Sequence, residues 1–517
     1  MKASSVYRPP CMIPLLEGEL WWGGRTADGM QMPFGPCSAF RAEPNRDLLA
    51  NQGAPLLVSS RGRYIWSEHP FTYEFSSGGI SLAGSMAPVL LEAGEPKTLA
   101  GAFKAAARVH FPSAKQIPPE VFFAVPQYNT WIELNHRQTQ KGVLDYARGI
   151  VENGYPPGVL MIDAGWFEYF GHFDFHPGRF RDPHSMVRQL KEWGFRVMLW
   201  ISPYVSADSP EYRVWRDQRG WLLRNRDGTP AVLEWWDGHS VHLDPTHPEA
   251  VEWLHSQLRR LQRDYGIDGF KFDAGDAAHY LHRPASWLDA TPVELSEAWA
   301  RIGLQYPFNE FRACWKLGGQ PIVQRLADRS PLWNETGLAS LIPNTLAAGL
   351  LGHSFMCPDM IGGGDYLYFT KPGFQVDEEL FIRSAQASAL FPMMQFSSAP
   401  WRVLSPKGNA LCLAAAKLHE EFAPLFLAEA KAAARTGEPI LRSLEYEFPH
   451  QGYGTIQDQF FIGHTLMVAP VLRPGARSRK VVIPPGNWQD EQGGSISGPR
   501  QIEAIAPMER LPYWRKK

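Results

Sequence analysis

Residues 248–276 read PEAVEWLHSQLRRLQRDYGIDGFKFDAGD. The first part of this stretch repeats apolar residues at the three- and four-residue spacing of an amphipathic helix, and Gly266 provides a common helix stop. The following residues, GFKF, form a short and mainly apolar run that is typical of a buried strand, and the run ends at Asp273. A helix followed at once by a buried strand predicts one unit of an α/β protein with a parallel sheet.

Seven similar runs make this unit one of eight. They are FFAVPQYNTW (122–131), GVLMIDAGW (158–166), RVMLWISPY (196–204), FNEFRACW (308–315), PIVQRLAD (321–328), HSFMCPDM (353–360) and PMMQFS (392–397). Helical stretches lie between most of them, so the pattern predicts a (β/α)8 TIM barrel with insertions. An open doubly wound sheet is the alternative. No G-x-G-x-x-G or G-x-x-x-x-G-K-[ST] motif opens a helix, which disfavours its nucleotide-binding versions.

The composition and the apolar pattern of the sequence change on both sides of the predicted barrel. Residues 1–115 are rich in Gly and Pro and contain short alternating runs, which predict an N-terminal β-sheet domain. We assign residues 116–437 to the barrel, with an insertion at about 205–245, and residues 438–517 to a C-terminal β domain. The chain is therefore expected to have three domains.

Composition narrows the classes of partner. The chain has 517 residues, 51 Lys and Arg against 53 Asp and Glu, and a formal net charge of -2, so no overall field attracts nucleic acid or an anionic membrane. Five scattered cysteines without a C-x-x-C motif argue against a disulfide framework or a zinc cluster. The start lacks the apolar core of a signal peptide, and no long apolar segment occurs, so we expect a cytoplasmic protein. Homo-oligomerisation is left open.

Acidic residues end several of the apolar runs. Active sites of (β/α)8 barrels lie at the carboxyl ends of the strands, where Asp163, Asp273, Asp276, Asp328 and Asp359 fall. Glycoside hydrolysis needs such a pair of carboxylates, one at the anomeric carbon and one at the leaving oxygen. A metal site is the alternative for clustered acids, but neither EF-hand nor H-E-x-x-H spacing occurs, so no metal or other cofactor is expected.

Aromatic residues accompany these acids. Aromatic side chains make up 13% of the chain, and their flat faces stack against sugar rings. Five tryptophans fall near strand ends or in loops and are candidates to contact a sugar: Trp131, Trp166, Trp200, Trp235 and Trp236. A small-molecule carbohydrate is therefore the expected partner.

Four motifs resemble glycoside hydrolase family 31. They are IDAGWFEYFGHFDFHPGRFRDPHSMVRQLKEWGFRVMLWISPY (162–204), YGIDGFKFDAGD (265–276), the segment from RLADRSPLWNETG to PDMIGG (325–363) and TIQDQFFIGHTLMVAPVLRPGARSRKVVIPPGNW (455–488). The resemblance covers most of residues 120–490. It implies an exo-acting retaining α-glycosidase with a β domain, a catalytic barrel and a C-terminal β domain.

The resemblance also implies roles for single residues. Asp273 matches the nucleophile that forms a covalent glycosyl-enzyme, and Asp328 matches the general acid that later serves as general base. Asp163 matches an acid that binds sugar hydroxyls in the minus-one subsite. Lys271 lies two residues before the nucleophile, on the same strand face, and is interpreted as a contact to the sugar or to the nucleophile.

Further residues match family positions around Asp273 and Asp328. Arg312 matches an arginine that holds the glycone near the acid/base, and Asp359 matches an acid near the subsite that we expect to steer Arg312 through a bidentate pair. Trp200 is expected to line the pocket floor. Trp235 and Trp236 are expected to wall the pocket from the loop inserted after the third strand.

The sequence departs from the family pattern at positions that bear on which sugar is bound. Glucosidase-type members carry an acid and a tyrosine where this chain has Gly165 and Trp166, and an arginine and a histidine where it has Gln395 and Ser397. Both differences are expected where glucose hydroxyls would be held. The motif set is most similar to an α-galactosidase-type branch of the family, so an α-galactosidase is the expected activity. An α-glucosidase, a transglycosylase and an inactive carbohydrate-binding relative are the alternatives.

Overall fold

The computed structural model describes residues 5–84, 87–218 and 220–517, and its centre is a parallel eight-stranded barrel. The first seven strands pair in parallel in chain order, and the eighth strand pairs in parallel with the first. Ile361 N, just past the seventh strand, donates to Gln395 O in the eighth at 2.9 Å. The predicted (β/α)8 barrel is confirmed, with strands Gln127–Asn129, Val159–Ile162, Arg196–Ile201, Gly269–Phe272, Phe308–Phe311, Gln324–Arg325, Met356–Cys357 and Gln395–Phe396.

The first predicted run holds a short helix as well as a strand. Phe122 N and Phe123 N donate to the carbonyls of Pro119 and Glu120, so FFA closes a helical turn before the strand begins. Both phenyl rings are fully buried against the closed end of the barrel core. The remaining seven runs each contain one barrel strand.

Helices cover the outside of the barrel, and their ends follow ordinary capping rules. The helix before the fourth strand begins with Pro248 and ends at Gly266, whose φ of 72° suits a residue without a side chain. Asp182 and Thr139 cap two other helices through their side chains. The helices of the barrel and of its loops are Val121–Ala124, Trp131–Leu134, Gln140–Glu152, Pro183–Glu192, Pro210–Gln218, Pro248–Tyr265, Pro292–Gly303, Leu341–Leu350, Tyr366–Phe369, Glu378–Ala389, Pro400–Val403 and Pro406–Thr436.

The N-terminal part forms antiparallel sheets with helix Leu99–His110 packed on them. One sheet also takes in Cys314–Trp315, the segment that follows the fifth barrel strand, which pairs in parallel with Gln52 and Gly53. This pairing joins the N-terminal domain to the mouth of the barrel. The strands are Ser5–Tyr7, Cys11–Ile13, Trp21–Arg25, Phe40–Ala42, Gln52–Ser59, Arg63–Trp66, Thr72–Ser76, Gly79–Ala83 and Val89–Ala93.

The C-terminal part is an antiparallel sheet with one short helix, Leu444–Glu447. Arg383 of helix Glu378–Ala389 is fully buried and donates to the carbonyls of Ala506, Pro507 and Arg510, which fixes the sheet to the barrel. The strands are Leu441–Arg442, Phe460–Ile462, Leu466–Val468, Ser478–Asp490, Ser495–Ile505 and Tyr513–Lys516.

A small three-stranded sheet follows the third barrel strand. Its strands are Tyr204–Val205, Leu233–Trp235 and Gly238–His242. The last two form a hairpin whose turn contains Trp236 and places that residue at the barrel mouth. Among the residues that the structure describes, no helix is long and apolar enough to span a bilayer.

Candidate active site

A cavity of about 410 Å³ lies at the carboxyl ends of the barrel strands. Eight of the eleven residues predicted for the site line it: Trp131, Asp163, Trp200, Trp236, Lys271, Asp273, Arg312 and Asp328. The topology brings these residues together because parallel barrel strands all end on the same face.

Asp273 follows the fourth strand and is held by three donors. Trp200 Nε1 donates to its Oδ2 at 2.8 Å, while Ala274 N and Arg312 Nε donate to Oδ1 at 2.8 and 3.0 Å. Ala274 and Gly275 have φ values of 59° and 74°, so the chain turns sharply here and leaves the carboxylate at the cavity wall. All three groups donate to the carboxylate oxygens of Asp273, so each hydrogen bond favours the ionised form of this side chain.

Charges decide the protonation state of Asp273. Burial opposes its ionisation, but Arg312 and Lys271 outweigh burial and hold the pKa of Asp273 well below its usual range. The carboxylate is therefore ionised at neutral pH and able to act as a nucleophile.

Lys271 and Asp163 form a buried ion pair beside Asp273. Lys271 Nζ lies 2.7 Å from Asp163 Oδ2 and 3.8 Å from Asp273 Oδ2. Burial alone would lower the pKa of Lys271, but Asp163 and Asp273 outweigh it and raise the pKa above the usual value. The ammonium group therefore stays charged and holds the two carboxylates in place.

The partner of Arg312 differs from the predicted one. Arg312 forms its bidentate pair with Asp276, Nη1 to Oδ1 at 2.8 Å and Nη2 to Oδ2 at 2.6 Å, and not with Asp359. The fourth and fifth strands are neighbours, with Phe272 opposite Phe311, so the residue after the fifth strand meets the loop after the fourth. The guanidinium also lies 5.1 Å from the centre of the Trp236 ring.

Asp359 serves a different arginine. Arg325 Nη1 lies 2.8 Å from Asp359 Oδ1 and also 2.8 Å from Asp328 Oδ1. The sixth and seventh strands are neighbours, with Arg325 opposite Cys357, which explains why Asp359 reaches Arg325. Asp359 is buried behind the cavity wall, and burial raises its pKa to about 7 against the opposing effect of Arg325.

Asp328 is the more accessible of the two predicted catalytic carboxylates. Its side chain is 34% exposed, whereas that of Asp273 is 10% exposed. Asp328 lines the cavity with one oxygen on Arg325. An exposed carboxyl anchored on one side is suited to exchange a proton with a substrate oxygen or with water.

Two of the predicted tryptophans do not line the cavity. Trp166 is fully buried and donates from Nε1 to Trp200 O at 2.8 Å. Trp235 is buried against Tyr204, with ring centres 3.9 Å apart and nearly parallel planes. Trp235 ends the strand Leu233–Trp235 and packs on this sheet, whereas Trp236 lies in the hairpin turn and lines the cavity. Trp166 instead hydrogen-bonds to Trp200, which lines the cavity, and Trp235 packs against Tyr204.

Two of the departures read from the sequence, Ser397 and Gln395, are not among the residues that line the cavity. Ser397 Oγ accepts from Ile132 N at 2.7 Å, and Gln395 Nε2 donates to Glu310 Oε2 at 2.7 Å. Both residues are fully buried. Each side chain is engaged in a hydrogen bond within the protein, and the expectation that these positions lie where a sugar is held stays a prediction.

Several lining residues were missed by sequence reasoning. Asp47, Leu49 and Ala50 come from the N-terminal domain, and His279, Asp365 and Tyr366 come from loops after the fourth and seventh strands. The N-terminal residues carry no motif and lie far from the barrel in sequence. Asp276, which the sequence analysis placed among the acids at the strand ends, also lines the cavity. Within the described ranges, no group of three or more His, Cys, Asp or Glu residues is arranged to hold a metal ion.

Comparisons with known proteins agree with this architecture. Residues 115–313 match the family model "Glycosyl hydrolases family 31 TIM-barrel domain", and residues 437–517 match "Glycosyl hydrolase family 31 C-terminal domain". A Flavobacterium johnsoniae GH31 dextranase structure has a TM-score of 0.84 at 21% identity, over 99% of this chain and 66% of that one. That likeness shows the fold.

Curated relatives extend the agreement to sequence. The myogenesis-regulating glycosidase of Mus musculus is 34% identical over 75% of this chain and 55% of its own length. Alpha-glucosidase 2 of Bacillus thermoamyloliquefaciens is 24% identical over 74% of this chain and 51% of its own length. The chain thus spans about half the length of these relatives. It belongs to glycosyl hydrolase family 31.

Proposed function

We propose that the protein is an exo-acting retaining α-glycosidase that works by double displacement. The observation that carries this proposal is one cavity lined by an ionised, triply hydrogen-bonded Asp273 and a partly exposed Asp328. Two carboxylates with different surroundings are what a nucleophile and an acid/base require. Family membership and the sugar-cleaving enzymes among the relatives support the same reaction class.

The first step forms a covalent intermediate. A carboxylate oxygen of Asp273 bonds to the anomeric carbon while the bond to the leaving oxygen breaks, and Asp328 gives its proton to that oxygen. In the second step Asp328 takes a proton from water, the water oxygen bonds to the anomeric carbon, and the carboxylate of Asp273 leaves. Arg312 and Lys271 favour the anionic carboxylate both before attack and on departure.

Aromatic side chains form much of the remaining wall. Trp131, Trp200, Trp236 and Tyr366 line the cavity together with the carboxylates. Such faces pack against the apolar side of a sugar ring while the acids bind its hydroxyls. We propose that Asp163, paired with Lys271, accepts hydrogen bonds from hydroxyls of the bound glycone.

We propose galactose as the preferred sugar. Family glucosidases carry an additional acid at the position of Gly165, which follows the lining residue Ala164, and this chain has no side chain there to bind glucose. An unpaired buried polar group costs about 1–3 kcal/mol, or roughly ten- to hundredfold in kcat/KM. We therefore expect 4-nitrophenyl α-galactoside to be cleaved at least about tenfold more efficiently than the α-glucoside.

The experiment compares aryl α-glycosides that share one aglycone and differ at a single hydroxyl. The shared aglycone is the control, because leaving-group chemistry is then constant. Equal or greater efficiency on the glucoside would favour the α-glucosidase alternative. A lack of cleavage of both the α-galactoside and the α-glucoside would point to a modified or different α-sugar.

A pH profile tests the charge arrangement around Asp273. Removing the ammonium group in Lys271→Met takes away a cation that lowers the pKa of Asp273, so that pKa rises. Protonated Asp273 cannot attack, so kcat/KM should begin to fall at a higher pH as the solution is acidified. The acid limb is expected to move up by about 1 pH unit or more.

The matched control is Lys191→Met. Lys191 pairs with Asp268 at 3.3 Å outside the cavity. Its replacement should leave the acid limb in place. An unmoved limb in Lys271→Met would show that this cation does not set the ionisation of the group that controls kcat/KM.

A further inference from the structure

The segment Leu49–Gln52 of the N-terminal domain reaches into the mouth of the barrel. Leu49 and Ala50 have φ values of 51° and 59°, two consecutive left-handed residues that are not glycine. Such conformations cost energy and persist where the surroundings enforce them. Both residues line the cavity, and Ala50 O accepts from Arg312 Nη1 at 2.9 Å. The strained backbone therefore contacts the arginine that holds Asp273.

Gln52 connects the fifth and sixth barrel strands. Its Nε2 donates to Arg312 O at 2.6 Å and to Arg325 O at 2.9 Å, and it lies 3.0 Å from Gln324 Oε1. Both main contacts are backbone carbonyls, which only accept, so they fix the orientation of the amide. Gln52 is fully buried. One side chain thus joins the backbones of the two arginines that hold Asp273 and Asp328.

Asn51 makes a parallel contact closer to the acid/base. Its Oδ1 accepts from Ala327 N at 2.8 Å, and Ala327 is the residue before Asp328. Its Nδ2 donates to Leu49 O at 2.9 Å, which ties the contact to the strained turn. Neighbouring residues of one segment therefore bind the backbones of Arg312, Arg325 and Ala327, which are the two arginines that hold the predicted catalytic carboxylates and the residue before Asp328.

The barrel is weakly paired at the point where this segment enters. In the described part of the chain, the fifth and sixth strands share one register pair, Phe311 with Gln324. After the fifth strand the chain turns away, and Cys314–Trp315 pairs with Gln52 and Gly53 instead. Phe311 N donates to Val323 O at 2.9 Å and Val323 N donates to Asn309 Oδ1 at 3.0 Å, but beyond these bonds the ladder is short, and Gln52 adds a connection between Arg312 and Arg325 themselves.

We propose that Gln52 and Asn51 are positioning residues of the catalytic site, which makes the N-terminal sheet part of the catalytic apparatus. Gln52 sets the spacing between Arg312 and Arg325, and Asn51 sets the backbone that carries Asp328. This proposal rests on the proposed function of Asp273 and Asp328. Neither residue takes part in a bond-making step.

The test uses Gln52→Leu in the full chain, with kcat, KM and the pH profile measured on two aryl α-glycosides that differ in leaving-group ability. Displacing reacting groups by about 1 Å costs about 10²-fold in rate, so kcat should fall by about that factor while KM changes little. The loss should be greater for the poor leaving group, because Asp328 is misaligned. The pH range over which kcat/KM stays near its maximum should become narrower. Gln52→Glu keeps the side-chain length but lacks the amide donors, so it should not restore activity.

Ser59→Ala is the matched control. Ser59 is fully buried at the other end of the same strand, where its Oγ accepts from the backbone of Arg61 and Arg63. The Ser59→Ala substitution should lower the melting temperature without changing kcat or the pH profile. If Gln52→Leu does not fold, Asn51→Ala gives the second measurement, with the larger loss again on the poor leaving group.

The outcomes separate this proposal from the proposed function. Turnover by the unmodified protein together with unchanged kcat and pH profile in a folded Gln52→Leu or Asn51→Ala variant would overturn the positioning role alone. Equal rate losses in the variants and in Ser59→Ala would also overturn it, since the effect would then follow stability. No turnover of any α-glycoside by the unmodified protein would overturn both.

Discussion

Replacing Asp273 by alanine is expected to lower turnover of every α-glycoside by on the order of 10⁶-fold, the scale on which an enzyme loses a covalent nucleophile. The side chain accepts hydrogen bonds from Trp200, Ala274 and Arg312, and the charge of Arg312 holds it ionised. No other carboxylate of the wall is held by the same three donors. The measurement is kcat on an activated aryl glycoside.

Asp273→Asn separates charge from shape. The amide keeps the size of the carboxylate but has no anionic oxygen to attack, so it should be as inactive as alanine. Azide added to Asp273→Ala should enter from the vacated face and give the β-glycosyl azide, because inversion then occurs once. The surface variant Asp208→Ala is the control for handling and folding.

Direct trapping gives an independent reading of the same prediction. A 5-fluoro α-glycosyl fluoride slows both steps and should leave the sugar attached to the peptide that contains Asp273. A label on a different residue, or near-normal turnover by Asp273→Ala, would show that another group attacks the anomeric carbon.

The fold was predictable because its signals are local. A buried parallel strand needs a short apolar run, and the runs around Val159–Ile162 and Gly269–Phe272 are apolar whatever lies beside them. The positions of Asp163 and Asp273 follow from the same signal, since each residue comes directly after a strand. Such residues must face the mouth of any barrel built from those strands.

Pairing inside the site was not predictable in the same way. Choosing Asp276 over Asp359 as the partner of Arg312 requires the knowledge of which loop lies beside the fifth strand and how far each side chain reaches. Residues Asp47 and Ala50 enter from a separate domain, through a pairing between Gln52 and Cys314 that no sequence period encodes. Long-range contacts of this kind depend on the packing of domains.

The neighbouring tryptophans show a further limit. Composition and loop position marked Trp235 and Trp236 alike, although Trp235 ends a strand and Trp236 lies in the hairpin turn. Trp235 stacks on Tyr204, while Trp236 is 38% exposed and lies over Arg312. Only the register of the hairpin, in which Trp235 faces Gly238, separates a structural ring from one that meets the cavity.

Replacing Asp328 by alanine is expected to give a loss that depends on the leaving group. An unactivated disaccharide needs a proton on its departing oxygen, so its kcat/KM should fall by about 10²–10⁴-fold. An aryl glycoside with a good leaving group departs without a proton, so formation of the glycosyl-enzyme should be nearly normal. Hydrolysis of that intermediate should then become slow, because no base activates water.

Azide tests this second step. As an anion it needs no general base, and the exposed position of Asp328 leaves room for it once the carboxylate is removed. It should accelerate Asp328→Ala on the aryl glycoside and yield the α-glycosyl azide, since the intermediate is β-linked. The unmodified protein with azide is the control and should show no acceleration. Equal losses on both substrates, without azide acceleration, would assign the proton transfers to a residue other than Asp328.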